Sequence, residues 1–183
     1  ILEGRAPPSF AQALDSTALK GARFGVLTAY LGDQPEDQEA TRVVRAALDR
    51  IRARGAEVVD VTIPALDSIA NRAGVIDYEF KYDLADYLAK TPGAAAGSLA
   101  AILEKGLYHI ALEQTIRRRD SLGTRDSEAY TSALRRRTEA RDLVVKFLEE
   151  RKLDALVYPT VRRKPASLGE PQRGSNCQLS AVT

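Results

Sequence analysis

Two short apolar stretches flank one capped helical segment near the start of the chain, and that order limits the possible folds more than any other feature of the sequence. RFGVLT at Arg23–Thr28 and AEVVDVT at Ala56–Thr62 have the length and valine content of strands. Between them Val44, Ala47, Leu48 and Ile51 recur at helical spacing. Asp33, Pro35 and Glu36 supply an N-terminal capping signal, and Arg52, Arg54 and Gly55 a C-terminal stop. A strand, a crossover helix and a second strand close into a right-handed parallel pair, with the apolar face of the helix against the sheet. The expected class is α/β, a mixed or parallel sheet with helices packed around it.

A parallel pair of this kind is a common dinucleotide cradle, but the turn after the first strand argues against one here. It reads Ala29-Tyr30-Leu31-Gly32-Asp33, without the G-x-G-x-x-G glycines that let backbone approach a pyrophosphate, and the Walker pattern is absent too. The unit is expected to be structural.

From Ala65 to Asp120 the chain reads as helices joined by loops. Ile76, Phe80, Leu84, Tyr87 and Leu88 form one stripe, with Asp77, Lys81 and Asp86 on the opposite face. TPGAAAGS at Thr91–Ser98 breaks it, and Ser98 opens a short helix that Gly106 ends. The longest helix is expected from about Asp126 to Lys152, with Ala133, Ala140, Val144, Phe147 and Leu148 facing inward. DALVY at Asp154–Tyr158 then reads as a buried strand stopped by Pro159, which has no N–H for the ladder. The region just beyond the carboxyl end of such a strand is where open α/β sheets gather their sites.

Charge excludes some partners. The 183 residues carry 27 basic and 25 acidic side chains, so no long-range field draws the chain to nucleic acid or anionic lipid. Arg117-Arg118-Arg119, Arg135-Arg136-Arg137 and Arg162-Arg163-Lys164 lie near Asp120, Asp126, Glu128, Glu139 and Asp142, which fits solvated helix faces laced with ion pairs. No apolar run approaches the roughly 20 residues needed to cross a bilayer. Cys177 is the only cysteine, which rules out an intrachain disulfide and makes a reducing cytoplasm the expected location.

His109 is the only histidine, and no serine or cysteine partner or set of metal ligands accompanies it in the sequence, so a structural role is expected. Gly174-Ser175-Asn176-Cys177 reads as a helix start, with Ser175 or Asn176 as the N-cap and Gln178, Leu179, Ala181 and Val182 in its first turns. Three roles stay open there: a pocket wall, a capping turn beside a buried thiol, or a nucleophilic Cys177 activated by the helix end.

LDALVYPT followed by a basic proline-containing loop and GSNCQLSAVT resembles the C-terminal part of stand-alone enzymes of the amidase signature family, and LKGARFGVL at Leu19–Leu27 extends the likeness more loosely. The resemblance implies a partial amidase-signature fold, with the Pro-Thr strand end and the GSNC turn bordering an amide pocket. It implies hydrolysis of a carboxylic acid amide to acid plus ammonia or amine through a Ser–cis-Ser–Lys acyl-enzyme, without metal or cofactor. Tyr158, Thr160, Ser175 and Asn176 are the substrate-binding residues it implies.

In that family the serines of the relay lie in a Gly/Ser-rich signature of the GGSSGGS type; here no two serines are adjacent, and Lys20, Lys81, Lys90, Lys105, Lys146, Lys152 and Lys164 all lie after the place where that signature belongs. No catalytic residue is therefore assigned. The expected organisation is one domain over residues 1–183, the C-terminal portion only of an amidase. It comprises a linker (1–22), a β-α-β unit (23–62), a helical segment (63–152) and a strand with its pocket-lining turn (153–183), the catalytic N-terminal part being absent. A start at Ile1 without Met reads as a truncation. The expected partners are a small-molecule amide and either a missing N-terminal half or a second copy recruited to an open sheet edge. The transfer-RNA amidotransferase branch of the family lacks the GSNC turn and is the poorer match. A non-catalytic α/β binding or interaction module is the alternative from a different class.

Overall fold

The computed structural model describes residues 9, 11–12, 14–122 and 124–182. Part of the expected linker, residues 1–8, 10 and 13, lies outside the described residues, as does Thr183 at the other end. The elements in order are β1 (Arg23–Leu27), α1 (Gln38–Arg52), β2 (Glu57–Val61), α2 (Leu66–Ala70), α3 (Ile76–Ala89), α4 (Leu99–Glu104), α5 (Glu113–Ser121), α6 (Glu128–Arg151), β3 (Ala155–Val157) and α7 (Cys177–Val182). The chain forms an α/β fold of two compact units, residues 1–63 with 146–176 and residues 64–145 with 177–183.

The first unit is built on a parallel sheet of order β2-β1-β3. Phe24 stands opposite Val58 on one side of β1 and opposite Ala155 on the other. The centre of β1 admits no side chain. A Cβ on Gly25 would stand 2.8 Å from Leu153 Cδ1 and 3.0 Å from both Leu156 Cδ2 and Val61 Cγ2. Val26, Leu31 and Leu48 form the buried core, and Val44, Ile51, Val58 and Val157 pack on it. Each such side chain contributes roughly 1.5–3 kcal/mol when fully removed from water. Arg45 on α1 clamps Asp60 of β2 with bonds of 2.6 and 3.1 Å and keeps that carboxyl below its ordinary pKa.

β3 is shorter than the expected strand and only half-buried, because it pairs with β1 alone and its other edge has no strand among the described residues. The cap of α1 also differs from expectation. A 3-10 turn, Pro35–Asp37, precedes the helix, and a reciprocal capping box joins Gln34 and Asp37, while Asp33 holds the Gln34 side chain.

In the second unit the polar face of α3 turns toward α5, against expectation. Asp77 binds both Arg118 and Arg119, and Lys81 Nζ donates to the carbonyls of Asp120 and Leu122 at 3.0 and 2.7 Å. Ile76 and Tyr87 from the expected apolar stripe are left 59% and 65% exposed. Tyr130 of α6 donates to Glu79 at 2.8 Å, and its ring lies 5.8 Å from that of Tyr78. Ser98 caps α4 by accepting from the Ala101 N–H at 3.1 Å.

Candidate functional site

The chain leaves β3 at Val157, and the next residues lie beyond the carboxyl end of a parallel strand. Tyr158 is half-buried, with its ring 5.7 Å from that of Tyr30 and tilted against it. Pro159 is buried and Thr160 exposed. Residues 160–162 then run antiparallel to 174–176. Val161 pairs with Ser175, the Arg162 N–H donates to the Gly174 carbonyl at 2.8 Å, and the Asn176 N–H donates to the Thr160 carbonyl at 2.8 Å. The structure thus sets Thr160 opposite Asn176 and Ser175 opposite Val161, with Tyr158 two residues before Thr160.

The four residues differ in what they offer. Thr160 and Ser175 are exposed. Asn176 is 4% exposed, and its side-chain amide donates to the carbonyls of Tyr30 at 2.9 Å and Pro159 at 2.7 Å. Its Nδ2 therefore staples the loop after β1 to the loop after β3 through two backbone acceptors.

A second tie holds the same two loops. Asp37, 1% exposed, accepts from Arg163 Nε at 2.9 Å, with Arg162 Nη1 3.9 Å away. Burial pushes the Asp37 carboxyl up, but the Arg163 bond, the Gln34 N–H and the two guanidinium charges together hold it below its ordinary value. The carboxylate fits because residue 32 is glycine. There φ is +83°, and a Cβ would stand 2.2 Å from Asp37 Oδ2. Gly174, at φ +74°, leaves room in turn for Arg163, whose Cγ would lie 3.0 Å from a Cβ.

The basic run Arg162-Arg163-Lys164 is therefore an anchor in this fold. Lys164 also pairs with Glu39 at 2.6 Å. The remainder of the loop closes on Gln172, which accepts from the Ala166 N–H at 2.9 Å and donates to the carbonyls of Lys164 and Arg173 at 3.2 and 2.9 Å. Sequence reasoning missed Asp37 and Arg163 as partners. The local signal was only an aspartate in the first turn of a helix and a glycine five positions before it.

Cys177 begins α7 and is exposed. His109 lies in the second unit, where its Nδ1 accepts from the Ala111 N–H at 3.2 Å and caps a 3-10 turn, a structural use of its basic nitrogen. Among the described residues no group of three or more His, Cys, Asp or Glu side chains could hold a metal ion, and no helix is long and apolar enough to cross a membrane.

With this geometry in view, comparison with known proteins is informative. A model of the family described as Amidase matches residues 4–182, and the chain belongs to that family. It is 29% identical over 164 residues to an amidase of Pseudomonas putida, covering 89% of this chain and 31% of that protein. It is also 29% identical over 176 residues to the A subunit of the glutamyl-tRNA(Gln) amidotransferase of Chlorobium limicola, covering 89% of this chain and 36% of that protein. Among solved structures it resembles the native peptide amidase of Stenotrophomonas maltophilia with a TM-score of 0.64 and 28% identity, covering 86% of this chain and 34% of that one. The chain spans about a third of the length of the curated relatives it matches.

Two expectations are corrected by these matches. The likeness is not to a C-terminal portion only, anchored on Leu153–Thr183, because the match runs from residue 4 to residue 182. The short motif stands out because the helical segments between carry no motif of their own. The expectation of a missing N-terminal half or self-association as the chain's partner is corrected as well, because the matches extend along nearly all of this chain.

Proposed function

We propose that this chain serves an amide-hydrolysing enzyme, in which Tyr158, Thr160, Ser175 and Asn176 belong to the wall of a pocket for a small-molecule carboxylic acid amide. The reaction is cleavage of the amide C–N bond by water, giving the acid and ammonia or an amine. Family membership supports the reaction class. The observation that supports the site is the pairing of residues 160–162 with 174–176, which sets Thr160 opposite Asn176 and Ser175 opposite Val161 just beyond the carboxyl end of β3. In this reading Thr160 and Ser175 offer hydroxyls to the amide and Tyr158 an aromatic surface, while Asn176 fixes the backbone that carries them.

No Gly/Ser-rich signature of the kind that carries the family's Ser–cis-Ser–Lys relay occurs in this sequence, so no residue here receives a catalytic role. The likeness to part of a transfer-RNA amidotransferase fits the same bond chemistry, and the GSNC turn favours a stand-alone amidase. Benzamide titrated against the chain tests the proposal, with tyrosine fluorescence as the readout in a protein without tryptophan. Saturable quenching that weakens about fivefold in Thr160→Val and Ser175→Ala is expected, as for the loss of one hydrogen bond. Absence of saturation, or identical titrations in both variants, refutes it.

A further inference from the structure

The second unit contains a cleft of about 390 Å³ between one face of α6 and the chain that joins α2 to α3 together with the first turn of α3. The α6 wall presents Glu128, Ser132 and Arg136, and the floor is Ala133, 3% exposed. Residues 128, 132 and 136 are successive i+4 positions, so they form one row along the helix, and at 1.5 Å per residue the outer two are about 12 Å apart. The opposite wall presents Arg72 and Tyr78. Gly74 between them leaves the cleft open, since a Cβ there would meet nothing within 4 Å.

The charges in this cleft are uncompensated. Every arginine of the Arg117–Arg119 run has a carboxylate partner, but among the described residues neither Arg72 nor Arg136 forms an ion pair, and neither does Glu128. Arg72 is held in place by bonds from Nε to the Ser68 carbonyl at 3.0 Å and from Nη2 to Ser68 Oγ at 3.1 Å. Two of its five N–H donors are thereby used and three remain. A guanidinium fixed in this way has already lost the side-chain freedom that a bound carboxylate would otherwise cost it.

We propose that this cleft binds a short zwitterionic chain, its carboxylate received by Arg72 and Arg136 and its ammonium by Glu128. The polarity of the lining selects the ligand class. Two guanidiniums attract a carboxylate, and the acidic side chain two turns away repels a second negative charge and favours a cation. The span fits a peptide of about three residues, since extended chain advances roughly 3.3–3.6 Å per residue. This site is separate from the proposed amide wall, and neither proposal depends on the other.

The test is calorimetric titration of the chain with triglycine, triglycinamide, N-acetyl-triglycine and inorganic phosphate. Triglycine is expected to bind with a dissociation constant on the order of 1 mM, and triglycinamide about tenfold more weakly. Arg72→Gln and Arg136→Gln should each weaken triglycine about fivefold or more, and Glu128→Gln should bring it down to the affinity of N-acetyl-triglycine. Arg141→Gln, elsewhere on α6, should leave it unchanged. Gly74→Val, which adds bulk where space is open, should block binding while the thermal midpoint stays within a few degrees of the parent. Equal binding of triglycine and triglycinamide, tighter binding of phosphate than of triglycine, or unchanged affinity in Arg136→Gln overturns the proposal.

Discussion

Asp37 and Arg163 stand 126 positions apart in sequence and meet at 2.9 Å, Nε to Oδ1, in a place where the carboxylate is 1% exposed. This pair and the Asn176 staple fix the loops after β1 and β3 to each other. The first prediction follows from it. Asp37→Asn leaves Arg163 without its charge partner, and the expected loss is about 3 kcal/mol in urea unfolding, the usual effect of removing one member of a buried pair. A loss under about 1 kcal/mol would show that the pair is incidental.

The same carboxyl makes stability depend on acid. Its pKa is lower in the folded chain than its ordinary 3.8. The stability it adds is complete above the unfolded value and is lost as pH falls through the folded one, in the region below about 4. Unfolding free energies measured between pH 5 and 2 should fall more steeply in the parent than in Asp37→Asn. Parallel curves would refute the linkage.

Two glycines test the fit around the pair. Gly32→Ala puts a Cβ 2.2 Å from Asp37 Oδ2 at a φ of +83°, whereas Gly174→Ala crowds the flexible Arg163 stem at 3.0 Å. Both pay for a left-handed conformation, about 1–2 kcal/mol. Gly32→Ala should lose more, by about 1 kcal/mol or greater, since the carboxylate must also move. Thermal or urea midpoints in the opposite order would contradict the packing.

Asn176 offers a third probe. Asn176→Leu removes the donor and leaves the Tyr30 and Pro159 carbonyls without the bonds at 2.9 and 2.7 Å. The expected loss is about 2–4 kcal/mol for two buried acceptors. Asn176→Asp should be at least as damaging, because it sets a carboxylate against two carbonyl oxygens. Hydrogen exchange at the Asn176 N–H, which donates to the Thr160 carbonyl, should quicken in both variants.

The central strand provides the last prediction. In Gly25→Ala the added methyl meets Leu153, Leu156 and Val61 at 2.8–3.0 Å. Overpacking of this kind costs about 1–3 kcal/mol. Shortening one neighbour, as in Leu156→Val, should recover part of the loss in a double-mutant cycle, and additive effects would argue against direct contact.

What is legible in the sequence depends on range. β1, α1 and β2 follow from local periodicity, and their parallel pairing follows from chain order, so the α/β class can be read from the sequence alone. Thr160 and the GSNC turn stand out as a motif, but the burial of Asn176 does not, since nothing near residue 176 announces Tyr30 as its acceptor. The pattern of α3 misleads because amphipathic spacing says which residues share a face and not which face is covered. Asp77 and Lys81 satisfy charged groups and carbonyls of the α5 segment, and Ile76 and Tyr87 stay in water. Arg118 and Arg119 likewise pair with Asp77, far from the acidic neighbours that sequence proximity suggests.

The Arg23 N–H donates to Asp154 Oδ2 at 2.7 Å across 131 positions, and β3 joins the sheet just beyond it, opposite Phe24, Gly25 and Val26 of β1. On a ribosome adding roughly 5–20 residues per second, β1 and β2 would emerge several seconds before their third strand. During that interval the β3 flank of β1 is a bare ladder, so nascent-chain binding factors and co-translational proteolysis would act on Arg23–Leu27 in a window that closes only when Val157 is made.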